Sequence, residues 1–234
     1  MPNQEYIGSE LELFALATRW KSYLREVMSP HLGPEVLEVG AGFGATTDFL
    51  CRGATQWVCL EPDPRLAARL AERIRAGEIP RCCEVVHGTL NDLDPQLRFD
   101  SILYVDVLEH IKNDAQQVTD ACRRLGPTGR LIVLAPAHQW LYSPFDAAIG
   151  HHRRYSTSSL AALIPPHLRC VRLGYLDAVG LLASVANRLM LRQTLPTRAQ
   201  ILFWDRALVL LSRQLDPVIG FRGGKSVLGV WQNN

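Results

Sequence analysis

The run Val36-Leu37-Glu38-Val39-Gly40-Ala41-Gly42-Phe43-Gly44 reads as a short apolar strand that breaks into three glycines at alternate positions, with a helix expected to start near Thr46. Glycines at such a corner let the chain turn tightly and let a ligand lie against bare backbone. The strand also carries an acid, Glu38, which would repel the phosphates that a dinucleotide turn cradles but suits a cationic amino-acid group. The next apolar run, Trp57-Val58-Cys59-Leu60, ends in Glu61, 17 residues beyond Gly44. A carboxylate at that place can accept both hydroxyls of a ribose. Together the two strands point to an adenosine-containing ligand.

Outward from this pair, apolar, β-branched runs recur at 83–86, 101–105 and 130–135, and each gap can hold a helix. Asp63 and Pro64 open one helix that Gly77 ends, and a second is expected from about Asn113 to Leu125, stopping at Gly126-Pro127. Five such strands imply a parallel, doubly wound α/β sheet. Two more strand-like runs, 168–176 and 226–231, bring the number to seven. The spacing predicts a single N-terminal helix from about Glu10 to Met28 and two amphipathic helices between the last two strands. The expected organisation is one domain over 1–234: a helical cap at 1–33, a cofactor-binding core at 34–135, an acceptor loop and helix at 136–163, and a helical insertion at 177–225.

Composition narrows the function classes. With 234 residues, 47% hydrophobic and 21% charged, the chain can bury a core and is neither collagenous, disordered nor a disulfide scaffold. A formal charge of +2 gives no footprint for nucleic acid. The six cysteines have no C-x-x-C pair and no histidine at zinc-ligand spacing beside them, so they are read as packed thiols and no metal is expected. No leader and no apolar stretch of membrane-spanning length is seen, which predicts a cytoplasmic protein.

The residues 38–44 resemble the first motif, E/D-x-G-x-G-x-G, of the class I S-adenosylmethionine-dependent methyltransferases, and FDSILYVDVLEHIKNDA resembles that family's fourth-strand motif. The resemblance covers about 34–135. It implies a Rossmann-like seven-stranded sheet whose last strand is antiparallel, S-adenosylmethionine as the cofactor, and methyl transfer as the reaction. Under it Glu38, Gly40, Ala41, Gly42, Phe43 and Gly44 surround the methionine end, Glu61 and Pro62 the ribose, and Thr89, Leu90, Val105 and Asp106 complete the cofactor site. Thr89 stands where the family usually places an aspartate for the adenine amino group, and a hydroxyl can still accept that bond.

Beyond the core, Glu109 and His110 either cap the helix that follows them or face the pocket, and they are kept here as pocket residues. The segment from Pro136 to Tyr155 is too rich in aromatic, histidine and arginine side chains to be a plain connector. It resembles a G-H-x-R-R-Y signature of a bacterial methyltransferase subgroup, with His151, Arg153, Arg154 and Tyr155 at the signature positions and His152 at the variable one. The expected acceptor residues are Glu109, Trp140, Tyr142, Asp146, His152, Arg153, Arg154 and Tyr155. His151 is the first choice for a base, ahead of His138 and His110, and the two arginines would bind an anionic group on a small-molecule acceptor. Residues 147–234 hold eleven Lys or Arg against three Asp or Glu. The helical insertion there is read as a lid or a dimer interface in preference to a surface on anionic lipid, with its apolar stripes covered. Two rivals remain at this level: a non-catalytic module that binds S-adenosylmethionine, and a nucleotide-dependent reductase on the same topology. Calorimetry separates the reductase: S-adenosylhomocysteine is expected to bind and NAD to show no measurable heat, and a tight NAD complex would overturn the assignment of the glycine turn.

Overall fold

Strands form where the apolar runs lie: β1 (Glu35–Val39), β2 (Gln56–Glu61), β3 (Cys83–His87), β4 (Phe99–Val105), β5 (Leu125–Pro136), β6 (Arg169–Leu176) and β7 (Ser226–Gln232). The computed structural model describes residues 9–190 and 196–234. The strands make one sheet in the order β3-β2-β1-β4-β5-β7-β6. The first five run parallel, and β7 lies antiparallel between β5 and β6. Successive residues serve opposite faces: Leu37, Tyr104 and Val133 enter one core, while Val36, Leu103 and Ile132 enter the other. Burial on both faces explains why the strands read as unbroken apolar runs. After β1 the chain goes to β2 on one side, whereas β4 lies on the other, so the crevice at the carboxyl ends of β1 and β4 is the topological switch point where ligands bind in such sheets.

The helices follow the expectations with three differences. The single N-terminal helix is two, α1 (Ser9–Ala15) and α2 (Thr18–Met28). The cause is tertiary: the amides of Arg19 and Trp20, among the orphan donors of α2, bond to the Asp205 carboxylate at 3.2 and 2.8 Å. After the glycine turn, α3 (Thr47–Leu50) is only one turn long. The expected α4 (Pro64–Arg75) is capped by Asp63, which accepts from the amides of Arg65 and Leu66. The third difference is α5 (Asp114–Cys122), capped by Asn113 and ending three residues before Leu125. It stops early because Arg124 and Leu125 already pair with Phe99 of β4, so Gly126-Pro127 lies inside β5. Two short helices, α6 (Pro144–Ala148) and α7 (Thr157–Ala161), follow β5.

The insertion forms α8 (Ala178–Met190), α9 (Arg198–Phe203), a π-helical segment at Trp204–Leu208, and α10 (Val209–Val218). Buried carboxylates fasten it. Asp216 accepts from the Tyr23 hydroxyl at 2.8 Å and from the amides of Asp177 and Ala178 at 2.7 and 3.0 Å. Asp177 in turn accepts from Ser212 Oγ at 2.6 Å and Trp204 Nε1 at 2.7 Å. The insertion therefore packs on α2, and α8 also touches the turn at 139–141. Its apolar stripes are not fully covered as expected: Phe203 and Val218 remain 63% and 81% exposed, and Leu182 and Leu211 also face outward. Among the described residues no helix is long and apolar enough to cross a membrane.

Asp216→Ala would leave a phenol and two amides without acceptors in the interior, and the melt in urea should lose about 3 kcal/mol or more of stability. Tyr23→Phe removes one donor from a carboxylate that keeps two others, so its cost should be only about 1 kcal/mol. Equal losses would show that the Asp216 amide bonds do not hold the insertion.

Candidate active site

At the carboxyl edge, β1 leads into a turn in which Gly40, Gly42 and Gly44 have φ of 72°, 58° and 80°. A side chain at Gly40 would also be driven to 2.7 Å from Val107 Cγ2, so glycine is required twice over. The turn stays bonded to the neighbouring strand through the Gly40 amide and Leu60 carbonyl at 2.8 Å. Glu61 closes over it: Oε2 accepts from the Gly42 amide at 2.7 Å and Oε1 from the Asp63 amide at 2.9 Å. A carboxylate has further lone pairs for ribose hydroxyls. Burial pushes the Glu61 carboxyl above its ordinary range, against the two amide bonds that pull it down. Leu11 of α1 lies over Gly42, the place expected of an N-terminal cap.

Other expected cofactor residues divide. Glu38 is buried, and its Oε2 accepts from Thr47 Oγ1 and Trp57 Nε1, both at 2.7 Å. Burial raises this carboxyl to about 7 in spite of those bonds. Glu38 thus braces α3 and β2 against the turn, a role that its sequence position alone does not give. Phe43 turns its ring under the Arg69 guanidinium, 4.3 Å from the ring centroid, so Phe43 and Ala41 offer backbone rather than side chain to the edge. Thr89 spends its amide and its hydroxyl on Asp92 Oδ2, at 2.7 and 2.9 Å. A carboxylate therefore stands beside the position where the family aspartate was missing, and the T-x-x-D spacing of a capping box was the signal for it. Leu90 is buried beneath that turn, Pro62 and Asp106 are exposed, and Val105 is half-buried. Asp106 has φ 54°, an uncommon conformation for a residue with a side chain, at the end of β4. A cavity of about 630 Å³ lies behind the turn among α2, α3 and α4, and of the expected cofactor residues it includes only Phe43.

The acceptor segment is built on Asp146, wholly buried. Arg154 forks onto it, Nε to Oδ1 at 2.8 Å and Nη2 to Oδ2 at 3.0 Å. His151 Nδ1 meets Oδ1 at 2.9 Å, and Ser143 gives its amide and hydroxyl to Oδ2. Burial would raise this carboxyl, but the bonds from His151 and Arg154 outweigh it and hold it well below the usual carboxylate range. An ionised Asp146 accepts only, so the network assigns a proton to His151 Nδ1 and turns Nε2 the other way.

That nitrogen points at Glu109, with Oε1 at 3.8 Å, and the His110 and His151 rings meet edge to face at 4.5 Å. Glu109 has no exposed surface, and neither carboxylate oxygen has a hydrogen-bond partner among the described residues. Burial and the nearby Asp106 raise its carboxyl well above the ordinary range. Burial and the neighbouring His151 lower His110 to about 4, so its imidazole is neutral at neutral pH. Asn113, not Glu109 or His110, caps α5, which removes the capping alternative for the pair.

The remaining acceptor expectations need correction. Neither arginine is free to receive an anion: Arg154 is bound to Asp146, and Arg153 reaches Asp114 Oδ2 at 2.7 Å and the Lys112 carbonyl at 2.8 Å. Tyr155 is an anchor, buried with its hydroxyl on the same Asp114 oxygen at 2.7 Å. Tyr142 gives its hydroxyl to the His151 carbonyl at 2.6 Å. His152 is exposed, and its amide bonds to the Glu109 carbonyl at 2.7 Å. His138 is a poor base: one ring nitrogen is bonded to the Gly224 carbonyl at 3.0 Å, and the ring stacks on Tyr175 at 4.8 Å. Trp140 lies beside it and is 52% exposed. Sequence reasoning missed Asp114, the acid on which two of the four signature residues converge.

Residues 37–131 match the methyltransferase domain family. Over those residues the chain has a methyltransferase domain, mounted on the seven-stranded Rossmann-like sheet. S-adenosylmethionine is its cofactor, and the glycine turn and Glu61 fit it. A demethylmenaquinone methyltransferase of Tropheryma whipplei is 31% identical over 165 residues, 69% of this chain and 66% of the relative. A ubiquinone biosynthesis O-methyltransferase of Bradyrhizobium diazoefficiens is 26% identical over 108 residues, 46% of this chain and 42% of the relative. The chain thus spans 66% and 42% of those two relatives' lengths. Among solved structures, geranyl diphosphate methyltransferase in complex with S-adenosylmethionine superposes with a TM-score of 0.65 at 15% identity, covering 99% of this chain and 93% of that one.

Glu61→Ala should weaken S-adenosylhomocysteine binding by about 1.5–3 kcal/mol, the range for a lost hydrogen bond to a charged group. Calorimetry on a variant whose circular dichroism matches the parent is the check, and unchanged affinity would remove Glu61 from the ribose site.

Proposed function

We propose that the protein transfers the methyl group of S-adenosylmethionine to an oxygen of a small hydroxylated acceptor, with the Asp146–His151 pair acting at that oxygen. The observation that carries this reading is the 2.9 Å contact of His151 Nδ1 with Asp146, which turns the other imidazole nitrogen toward the cluster that follows β4. The cofactor supplies an electrophilic methyl on a sulfonium, displaced in line. The chain's part is alignment, exclusion of water, and management of the acceptor's proton. A nearby oriented imidazole is what a hydroxyl acceptor needs and what an already basic amine does not. It also favours turnover over a purely binding role.

The commitment of Arg153 and Arg154 to Asp114 and Asp146 argues for an acceptor that arrives uncharged. The relatives named for demethylmenaquinone and for ubiquinone biosynthesis support a flat, quinol-like ring. The exposed Trp140 indole, on the same loop, offers such a ring a face.

A panel of catechols and hydroquinones, assayed with S-adenosylmethionine and read by mass spectrometry, should yield O-methyl products. His151→Ala should lower kcat by about 10²-fold while leaving S-adenosylhomocysteine affinity nearly intact, because the cofactor's contacts lie on the first strands. Normal turnover by that variant, or methylation only at nitrogen or carbon, would defeat the proposal.

A further inference from the structure

Glu109 presents a structural problem that the proposed reaction does not solve. A carboxylate with no exposed surface and, among the described residues, no hydrogen-bond partner for either oxygen is costly to bury, and such groups are ordinarily paired or bound to a metal. Among the described residues the basic side chain within ion-pair range of it is His151, whose Nε2 is 3.8 Å from Oε1, too far for a hydrogen bond. Yet one oxygen of Glu109 and one nitrogen each of His110 and His151 all lie within 4.8 Å of one another. Two ligands of one zinc ion, at bonds of about 2.0–2.2 Å in tetrahedral geometry, sit roughly 3.4 Å apart. Against that spacing, the Glu109–His151 pair needs to close by about 0.4 Å and the other two pairs by about 1.4 Å at most.

We infer that Glu109, His110 and His151 form the binding site of one divalent first-row transition ion of the zinc type. Two imidazoles and a carboxylate are a donor set for such an ion and leave a position open. The surroundings are those of ligating histidines, whose second nitrogen is characteristically fixed by a carboxylate or a carbonyl. His151 gives Nδ1 to Asp146, and His110 is bonded to the backbone of Gly150. The segment is also held from both ends: the His152 amide bonds to the Glu109 carbonyl at 2.7 Å, and the His151 amide to the Asp146 carbonyl at 2.8 Å.

This deepens the proposed function and rests on its acceptor oxygen, which would take the open position. His151 then acts through the ion instead of taking the proton itself. On the ion the acceptor's O–H bond breaks and its proton leaves to solvent water. The oxygen's electron pair forms the new bond to the methyl carbon as the carbon–sulfur bond breaks, its electrons returning to sulfur.

The test uses the whole protein, stripped with a chelator and titrated with Co²⁺ as a visible probe and with Zn²⁺ in competition. One equivalent of Co²⁺ should bind with ligand-field absorption and be displaced by Zn²⁺. Glu109→Gln, which keeps the side-chain volume, and His151→Ala should each weaken binding by 10-fold or more, whereas His167→Ala, on the surface, should not. Zinc-edge absorption on the unmodified protein should show two imidazole nitrogens, which covers the case of a variant that fails to fold. Absence of a stoichiometric ion, or binding indifferent to Glu109→Gln, overturns the site. Full turnover in chelator would also overturn it while leaving the proposed reaction standing; bound Co²⁺ without transfer to any hydroxyl would do the reverse.

Discussion

The fork of Arg154 on Asp146 is the contact around which the segment after β5 is arranged. It holds a buried carboxylate ionised, and that charge sets the tautomer and direction of His151. Through His151 it bears on His110 and Glu109, and through Ser143 it caps α6. A buried ion pair of this kind brings no large net stability, since desolvation offsets attraction, but removing one partner strands the other. Its value is geometric. Five donors on one carboxylate leave the loop after β5 a single arrangement.

The same device recurs wherever an element outside the sheet is attached. Asp114 takes Arg153 and the Tyr155 hydroxyl, tying the end of the acceptor segment to the start of α5. Asp205 caps α2, and Asp177 and Asp216 collect the donors between α2, β6 and the insertion. Apolar contact is non-directional and can be satisfied by many arrangements of a helix on a sheet, whereas an interior carboxylate tolerates only an arrangement that fills its lone pairs. The sheet supplies the core, and these acids fix what is mounted on it.

The stretch from His151 to Tyr155 illustrates how charged side chains are misread when their partners are hidden in the fold. It lies at the carboxyl end of β5, where Tyr155 pairs with Pro136 and Ala137. Most of its polar groups are turned inward to hold the segment, and His151 keeps one ring nitrogen directed at Glu109. Charged side chains in a row suggest an anion site because sequence displays their charge but not their partners. Here the partners, Asp114 and Asp146, lie 39 and 8 residues away from the arginines they bind.

Periodicity and glycine spacing were enough to determine the seven strands, the turn after β1, the acid at the end of β2 and hence an adenosine-containing ligand, which the family resemblance narrowed to S-adenosylmethionine. Each is a local matter: a strand buried on both faces must be apolar throughout, and a turn with positive φ must be glycine. The break between α1 and α2, the early end of α5, the bracing role of Glu38 and the convergence of Glu109, His110 and His151 were decided only in three dimensions. In each of these, the deciding partner comes from another part of the chain: Asp205 for α2, Phe99 for the end of α5, Trp57 for Glu38 and Asp146 for His151. A hydrogen bond between residues 5 to 185 positions apart leaves no period in the sequence, and only the folded sheet brings its two ends within 3 Å.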